Sequence, residues 1–412
     1  MRDYKGKSNK SVQILDVSVE KIVPGGYGLA FAENLTVFVA LAAVGDKLRV
    51  RIREKKGKVA FAEIVEILKP SENRQTPPCP YFGRCGGCDF QQMNYAAQLA
   101  AKVAILRDSL ERIGRIEYEK EIPIIASPDD LNYRLRAQWH VDSRRQKLGY
   151  FRRHSHDVID VETCPILAPA LKEKLSEIRR NVNWTDFWAE KPEIEAATGT
   201  TAAGDAGGAG VSLYSSEIIE PTEEIVFRAA SGEEYYFDAR SFFQGNRFLI
   251  DDLIRAATGG AAGDAALDLF CGVGLFTLPL ARKFKRVFGV EANEKAIEFA
   301  RKNAERARLS NIEFSAENVG EFLPERENDL PKIDFVLLDP PRAGAEKETL
   351  YALLKLKPRR ISYVSCDPST LARDLRLLTG ADYKIESITA VDLFPQTHHV
   401  ETIVRLHLED AN

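Results

Sequence analysis

The chain has 412 residues and a mass of 46.1 kDa, 44% hydrophobic and 29% charged, which exceeds the apolar content of disordered chains and is enough for two or three domains. No run of about 18 apolar residues exists, which excludes a membrane-spanning helix, and the polar start predicts no secretory leader. Six cysteines are too few for a disulfide scaffold, so a cytoplasmic protein with reduced thiols is expected; a net charge of −4 and a pI near 6.0 exclude a bulk nucleic-acid coat but not a local basic groove.

In chain order, the first 70 residues carry 13 Lys/Arg against 8 Asp/Glu. Alternating runs at 12–15, 36–39, 47–53 and 59–68 are parted by Pro24-Gly25-Gly26, Val44-Gly45-Asp46 and Lys56-Gly57-Lys58. Turn signals about every ten residues predict a small all-β barrel of OB-like form. Residues 70–80 break the pattern and read as a linker into a cysteine cluster. Cys79, Cys85 and Cys88 lie in a Gly-rich segment, and Cys164 follows with Pro165 behind it. Three close thiolates and a distant fourth before proline suit a [4Fe–4S] cluster. A Cys₄ zinc site is the plainer alternative, although zinc prefers paired C-x₂₋₄-C hooks; unpaired structural cysteines are the third reading.

Residues 95–113 have helical spacing. Residues 134–156 read as a hairpin turning at Ser143-Arg144-Arg145-Gln146. Between 134 and 153 stand seven basic residues and one acidic residue, Asp142, with Trp139, Tyr150 and Phe151 interleaved. Arg134, Arg136, Arg144, Arg145, Arg152 and Arg153 could track RNA phosphates while the rings stack bases; the bland reading is two solvated strands. Residues 196–210, almost all Ala, Gly and Thr, read as a flexible surface loop. From about 236 onward short buried strands at 265–269, 286–290, 312–315, 335–338 and 361–364 alternate with helical stretches. That pattern predicts a mostly parallel, Rossmann-like α/β sheet.

Chemistry concentrates at the ends of those strands. Asp268-Leu269-Phe270-Cys271-Gly272-Val273-Gly274 follows the first and precedes a helix, so Gly272 and Gly274 would let backbone pass close to a ligand. Close packing alone explains such a pair about as well. The next strand ends in Glu291, a carboxylate that can accept both hydroxyls of a ribose. Thr277 stands where a dinucleotide fingerprint has its third Gly, which disfavours a pyrophosphate cofactor. The spacing instead suits S-adenosylmethionine (SAM), with Asn318 past the third strand available to the adenine. Asp339-Pro340-Pro341-Arg342 ends the fourth strand. This is the mark of amino-group methyltransferases, but Arg342 replaces their aromatic residue.

The fifth strand ends in Ser365-Cys366-Asp367-Pro368. Cys366 is a candidate nucleophile, against the ordinary fate of a free Cys as a small buried hydrophobe. Glu401 opens the last apolar run; burying its carboxylate costs energy unless it works or pairs in a salt bridge. A thiol and a carboxylate beside a methyl donor point to C5 of uracil. A thiolate adding to C6 makes C5 nucleophilic, and a base must later remove the C5 proton. Asp367 beside the thiol opposes its ionisation unless it points away or pairs.

At these residues the chain resembles the RNA 5-methyluridine methyltransferases, in particular the subgroup acting on 23S ribosomal RNA, over nearly its whole length. The motifs are Phe242-Phe243-Gln244-Gly245-Asn246, Asp268 to Gly274, Glu291, Asp339 to Arg342, Ser365 to Pro368 and His399-Val400-Glu401. The resemblance implies that Gln244, Phe270, Gly272, Glu291, Asn318 and Asp339 meet SAM or the uracil, that Cys366 and Glu401 act as nucleophile and base, and that the four cysteines hold a [4Fe–4S] cluster. It implies a TRAM-like RNA-binding barrel at 1–70, a central α/β domain with the cluster at 71–235, and a SAM-dependent methyltransferase domain at 236–412, with 95–126 packing on the last. Asp367 departs from the commoner Asn. The partner expected is structured RNA, ribosomal more than transfer RNA, served by a monomer away from membranes. The rivals are an amino-group methyltransferase, which needs neither Cys366 nor Glu401, a non-catalytic RNA-binding iron–sulfur protein, and a redox sensor indifferent to RNA.

Overall fold

The computed structural model describes residues 13–409, apart from 186, 188–191, 202–208, 216, 218–223, 230 and 327–328. Part of the first expected strand, Val12, thus lies outside the described residues, as do 202–208 of the expected loop.

Six strands come first: β1 (Ile14–Ser18), β2 (Lys21–Val23), β3 (Tyr27–Ala32), β4 (Leu35–Val39), β5 (Lys47–Lys56) and β6 (Val59–Lys69). They form one sheet in the order β1-β5-β6-β4-β3-β2. Period-two alternation sends Leu15, Val17, Val37, Val39, Leu48 and Val50 into a shared core. Gly25 and Gly26, at φ of 85° and 76°, make the turn from β2 to β3 in a region that β-carbons disfavour. The stretch after β6 is irregular but held: Arg74 pairs with the fully buried Asp46 at 2.6 Å.

Helix α1 (Tyr95–Ser109) is capped by Asn94, whose side chain accepts from the Ala97 N–H at 2.9 Å, and runs into a π-turn at Leu110–Gly114. The short strand β7 (Ile124–Ile125) follows. The expected hairpin is β8 (Arg136–Asp142) and β9 (Lys147–Phe151), with Asp142 opposite Lys147 across the turn. Next come β10 (Val158–Asp160), α2 (Pro169–Asn181), β11 (Glu193–Thr201), β12 (Ala209–Tyr214), β13 (Ile225–Arg228) and β14 (Glu234–Phe237). These build a second sheet, β10-β9-β8-β11-β13-β14 with β12 on β11, antiparallel throughout. Helix α2 covers it, laying Leu171 and Leu175 on Trp139, Ile194 and Ala196.

The expectation of a flexible loop at 196–210 is corrected. Residues 196–201 lie in β11 and 209–210 in β12, and Ala196 and Ala197 are wholly buried. Small side chains here serve close approach rather than mobility: a β-carbon on Gly199 would lie 2.7 Å from the Val226 carbonyl oxygen.

The remainder alternates: α3 (Ile250–Thr258), β15 (Gly263–Leu269), α4 (Thr277–Ala281), β16 (Phe284–Glu291), α5 (Glu294–Arg306), β17 (Ile312–Ala316), α6 (Val319–Arg326), β18 (Phe335–Leu338), α7 (Lys347–Leu356), β19 (Arg360–Ser365), α8 (Pro368–Thr379), β20 (Tyr383–Val391) and β21 (Glu401–Leu408). The sheet order is β17-β16-β15-β18-β19-β21-β20-β7. From β17 to β19 every pair is parallel, while β21 runs antiparallel to both its neighbours. Strand order reverses between β15 and β18, which opens a crevice at their carboxyl ends. β7 joins the far edge beside β20, so the segment after α1 completes this sheet. Among the described residues no helix is long and apolar enough to cross a membrane.

Candidate active site

The loops after β15, β16, β17, β18 and β19 and the start of β21 enclose one cavity of about 790 Å³. All eight residues singled out for catalysis or SAM line it: Gln244, Phe270, Gly272, Glu291, Asn318, Asp339, Cys366 and Glu401. The first βα turn is bent for this. Phe270 and Gly272 have φ of 65° and 54°, and a β-carbon on Gly272 would meet nothing within 4 Å, so that loop leaves open space. Gly274, at φ 91°, lets the backbone pass Leu278, which a β-carbon would approach to 2.9 Å. Glu291 is set by two backbone donors, Gly272 N–H at 3.2 Å and Asn293 N–H at 2.9 Å. Asn318 accepts from the Gly320 N–H at 2.8 Å, and Gln244 Nε2 donates to Asp339 at 3.3 Å. Asp268, which no sequence role claimed, is wholly buried behind the turn. It accepts from Thr277 Oγ1 on one oxygen and has no partner on the other among the described residues.

The thiol and the carboxylate meet by strand register. Ser365 of β19 lies opposite Thr402 of β21, so the next residue on each antiparallel strand, Cys366 and Glu401, stand side by side at the sheet's end. Burial and the Glu401 charge push the Cys366 thiol up to about 12, against the pull of Arg342. Burial and Asp339 hold Glu401 well above the ordinary carboxylate range. Asp339 itself is raised to about 7 by burial and Glu291. The cavity thus crowds Glu291, Asp339 and Glu401 around a thiol, an arrangement that welcomes a cation such as a sulfonium. Arg342, noted in the sequence only for its departure from an aromatic, is the cation opposing the rise at Cys366 and at Glu401. Asp367 is engaged as the N-cap of α8, its carboxylate accepting from the Ser369 and Thr370 N–H groups at 2.9 Å, while its charge still adds to the rise at Cys366.

The four clustered cysteines line a second cavity of about 490 Å³, together with Arg134, Gln138 and His398. An isolated bridge between Cys85 and Arg152 ties the cysteine loop to the β9 end, and a β-carbon on Gly86 would crowd the Phe151 carbonyl oxygen at 3.2 Å. Burial raises all four thiols, Cys164 to about 11. Among the described residues no three His, Cys, Asp or Glu side chains are grouped to hold a single metal ion.

The six arginines divide. Arg144, Arg145 and Arg152 are exposed, on the hairpin turn and beyond β9. Arg136 lines the first cavity and donates to the carbonyls of Ala239 at 2.9 Å and Ser241, bracing the irregular stretch between β14 and Gln244. Arg134 donates to the Arg136 carbonyl at 2.9 Å and lies between the two cavities. Arg153 reaches the Cys88 carbonyl at 3.4 Å.

A parallel sheet with a glycine turn, a ribose-type carboxylate and a strand-end Asp-Pro-Pro around one cavity defines a SAM-dependent methyltransferase fold. Residues 224–409 match the family tRNA (Uracil-5-)-methyltransferase. An RNA methyltransferase of Aquifex aeolicus, its activity uncharacterised, is 34% identical over 96% of this chain and 99% of its own length. A 23S rRNA (uracil(1939)-C(5))-methyltransferase of Pectobacterium atrosepticum is 33% identical over 96% of this chain and 94% of its own. Among solved structures, the tRNA (uracil-54, C5)-methyltransferase of Pyrococcus abyssi with bound S-adenosyl-L-homocysteine superposes with a TM-score of 0.71 at 25% identity, covering 95% of this chain and all of that one. The chain belongs to the tRNA (uracil-5-)-methyltransferase family.

Proposed function

We propose that the chain methylates C5 of a specific uridine in structured RNA, with Cys366 as nucleophile and Glu401 as base. The observation carrying this reading is the β19–β21 register, which sets that thiol beside that carboxylate inside the cavity with the SAM-type turn. SAM supplies a methyl group made electrophilic by its sulfonium. The Cys366 sulfur bonds to C6 of uracil, the C5=C6 electron pair shifts toward C5, and C5 takes the methyl. Glu401 then removes the C5 proton, the double bond returns and the C6–S bond breaks, freeing the thiolate. Glu291 would accept from the ribose hydroxyls, Asn318 would meet the adenine, Phe270 and Gly272 would wall the cofactor, and Gln244 with Asp339 would orient the reacting groups. The uridine must leave its stack to reach this depth.

Large ribosomal RNA is the favoured substrate. The 33% relative acting on 23S rRNA aligns along 96% of the chain. Transfer RNA is the alternative, in line with the structural neighbour. The division at 1–70, 71–235 and 236–412 is proposed on the same grounds, with 95–126 assigned to the catalytic unit because β7 lies in its sheet. Arg144, Arg145 and Arg152 offer exposed positive charge for RNA phosphates. Such an enzyme would work in the cytoplasm as a monomer.

The four thiols share the rim of one cavity, and three close cysteines with a distant fourth before proline suit a [4Fe–4S] cluster, with a Cys₄ zinc site as the alternative. Cys79, Cys85, Cys88 and Cys164 would hold the cluster and pin the loop at 79–88 to the segment at 164 beneath the basic hairpin.

The test is nucleoside mass spectrometry on size-fractionated RNA after incubation of anaerobically purified protein with SAM, beside Cys366→Ala. The expected result is 5-methyluridine in the large ribosomal fraction with the unaltered protein alone. Methylation surviving Cys366→Ala would overturn the covalent route, and signal confined to the transfer RNA fraction would transfer the substrate.

A further inference from the structure

Glu401 holds its position with little help from its own carboxylate: Oε1 has no hydrogen-bond partner among the described residues. Its aim therefore comes from its backbone. On one side β21 pairs with β19 and β20. On the other side the chain enters through residues 392–400, a segment outside any strand or helix. That segment is fastened to the cysteine loop. The N–H groups of Asp89 and Phe90 donate to the Gln396 carbonyl at 3.1 and 3.0 Å. The Asp89 carboxylate accepts from the His398 N–H at 2.9 Å and meets His398 Nδ1 at 2.5 Å. Asp89 directly follows Cys88, and His398 stands three residues before Glu401. The barrel closes over the pair: a β-carbon on Gly26, at φ 76°, would lie 3.1 Å from His398 Cβ and 3.2 Å from Asp89 Oδ2. Cys366, by contrast, is carried between the end of β19 and the start of α8.

We propose that Asp89 and His398 are positioning residues that clasp the cysteine loop to the segment entering β21 and so aim Glu401 at the C5 proton. The inference rests on the reading of Glu401 as base. It separates the two halves of the reaction. Addition of the Cys366 sulfur to C6 and methyl transfer to C5 do not use Glu401; loss of the C5 proton and release of the cysteine do. Weakening the clasp should stall the enzyme as the methylated covalent adduct.

The experiment compares Asp89→Ala with Asp89→Asn. The amide of the latter keeps both contacts, its oxygen accepting from the His398 N–H and its N–H donating to Nδ1. The probes are a transcript of the RNA that the unaltered protein methylates and the same transcript made with 5-fluorouridine. Fluorine cannot leave C5 as a cation, so the second traps the adduct before the base is needed. Asp89→Ala should form the fluorinated adduct within about twofold of the unaltered rate, yet lose turnover on ordinary RNA on the order of 10- to 100-fold while adduct accumulates. Asp89→Asn should recover turnover to within about threefold. Amide hydrogen exchange at 396–401 should quicken in Asp89→Ala and not in Asp89→Asn. Equal slowing of adduct formation and turnover, unchanged turnover, or unchanged exchange in Asp89→Ala would overturn the clasp. Failure of the unaltered protein to trap fluorinated RNA would instead defeat the reading of Cys366 and Glu401, with hydrogen exchange still deciding whether the clasp exists.

Discussion

Cys366 is a neutral thiol in the protein without its substrates, since burial and Glu401 hold its ionisation near 12. Below that value each unit of pH multiplies the thiolate by about ten. Adduct formation in single turnover should therefore rise between about pH 6 and 9, and a flat profile would show that bound substrates already ionise the thiol. Asp339 carries the opposite cost. Its folded-state value of about 7 lies above the ordinary 3.8, so the protonated form suits the fold, and that stabilisation is lost as pH rises through about 7. Asp339→Asn should melt about 2–4 °C higher than the unaltered protein at pH 8, with the gain fading toward pH 4, while methyl transfer falls away. A lower melting point at pH 8 would refute the sign.

At the scale of elements, α8 explains what holds the aspartate that follows Cys366. Asp367 caps the helix through two backbone N–H groups, where the helix dipole favours its charge. Asp367→Asn keeps a capping oxygen and should leave stability within about 0.5 kcal/mol, with adduct formation equal or faster; Asp367→Ala should cost about 1 kcal/mol in chemical denaturation. Equal losses for both would show that the charge, not the cap, matters. The same scale shows where composition misleads. Strands such as 335–338 were legible because four apolar residues in a row between turn signals suit a buried parallel strand. Residues 196–201 were not, because Ala, Gly and Thr carry no apolar period. Their strand exists because β8 and β13 flank it closely enough to exclude larger side chains.

Across the whole molecule, α1 is joined to the catalytic sheet by a fully buried ion pair, Lys102 with Asp392, and by Lys102 Nζ donating to the Phe394 carbonyl at 2.9 Å. Removing one partner leaves an uncompensated buried charge. Lys102→Met should lower stability by roughly 3–5 kcal/mol, and adding Asp392→Leu should return much of it. Denaturant titration of the single and double variants checks this, and additive losses would show that the two do not act as a pair. One signal was present in the sequence: Gln98 and Lys102 fall on the face of α1 that carries Ile105, an apolar stripe interrupted by polar groups. It marked a buried polar contact without naming its partner 290 residues away.

The sequence by itself determined the mostly parallel sheet and the strand-end motifs, because local periodicity and turn chemistry act over a few neighbouring residues; those motifs, and for Gln244 the family resemblance, marked eight of the residues that line the candidate cavity. The tertiary structure alone decided what depends on distant segments meeting. It set Glu401 beside Cys366 through an antiparallel register, tied Arg136 to the carbonyls of the stretch before Gln244, and joined the cysteine loop to the segment entering β21 through Asp89 and His398. No spacing within the chain encodes those pairings, because they arise only when separate elements bury their surfaces against one another.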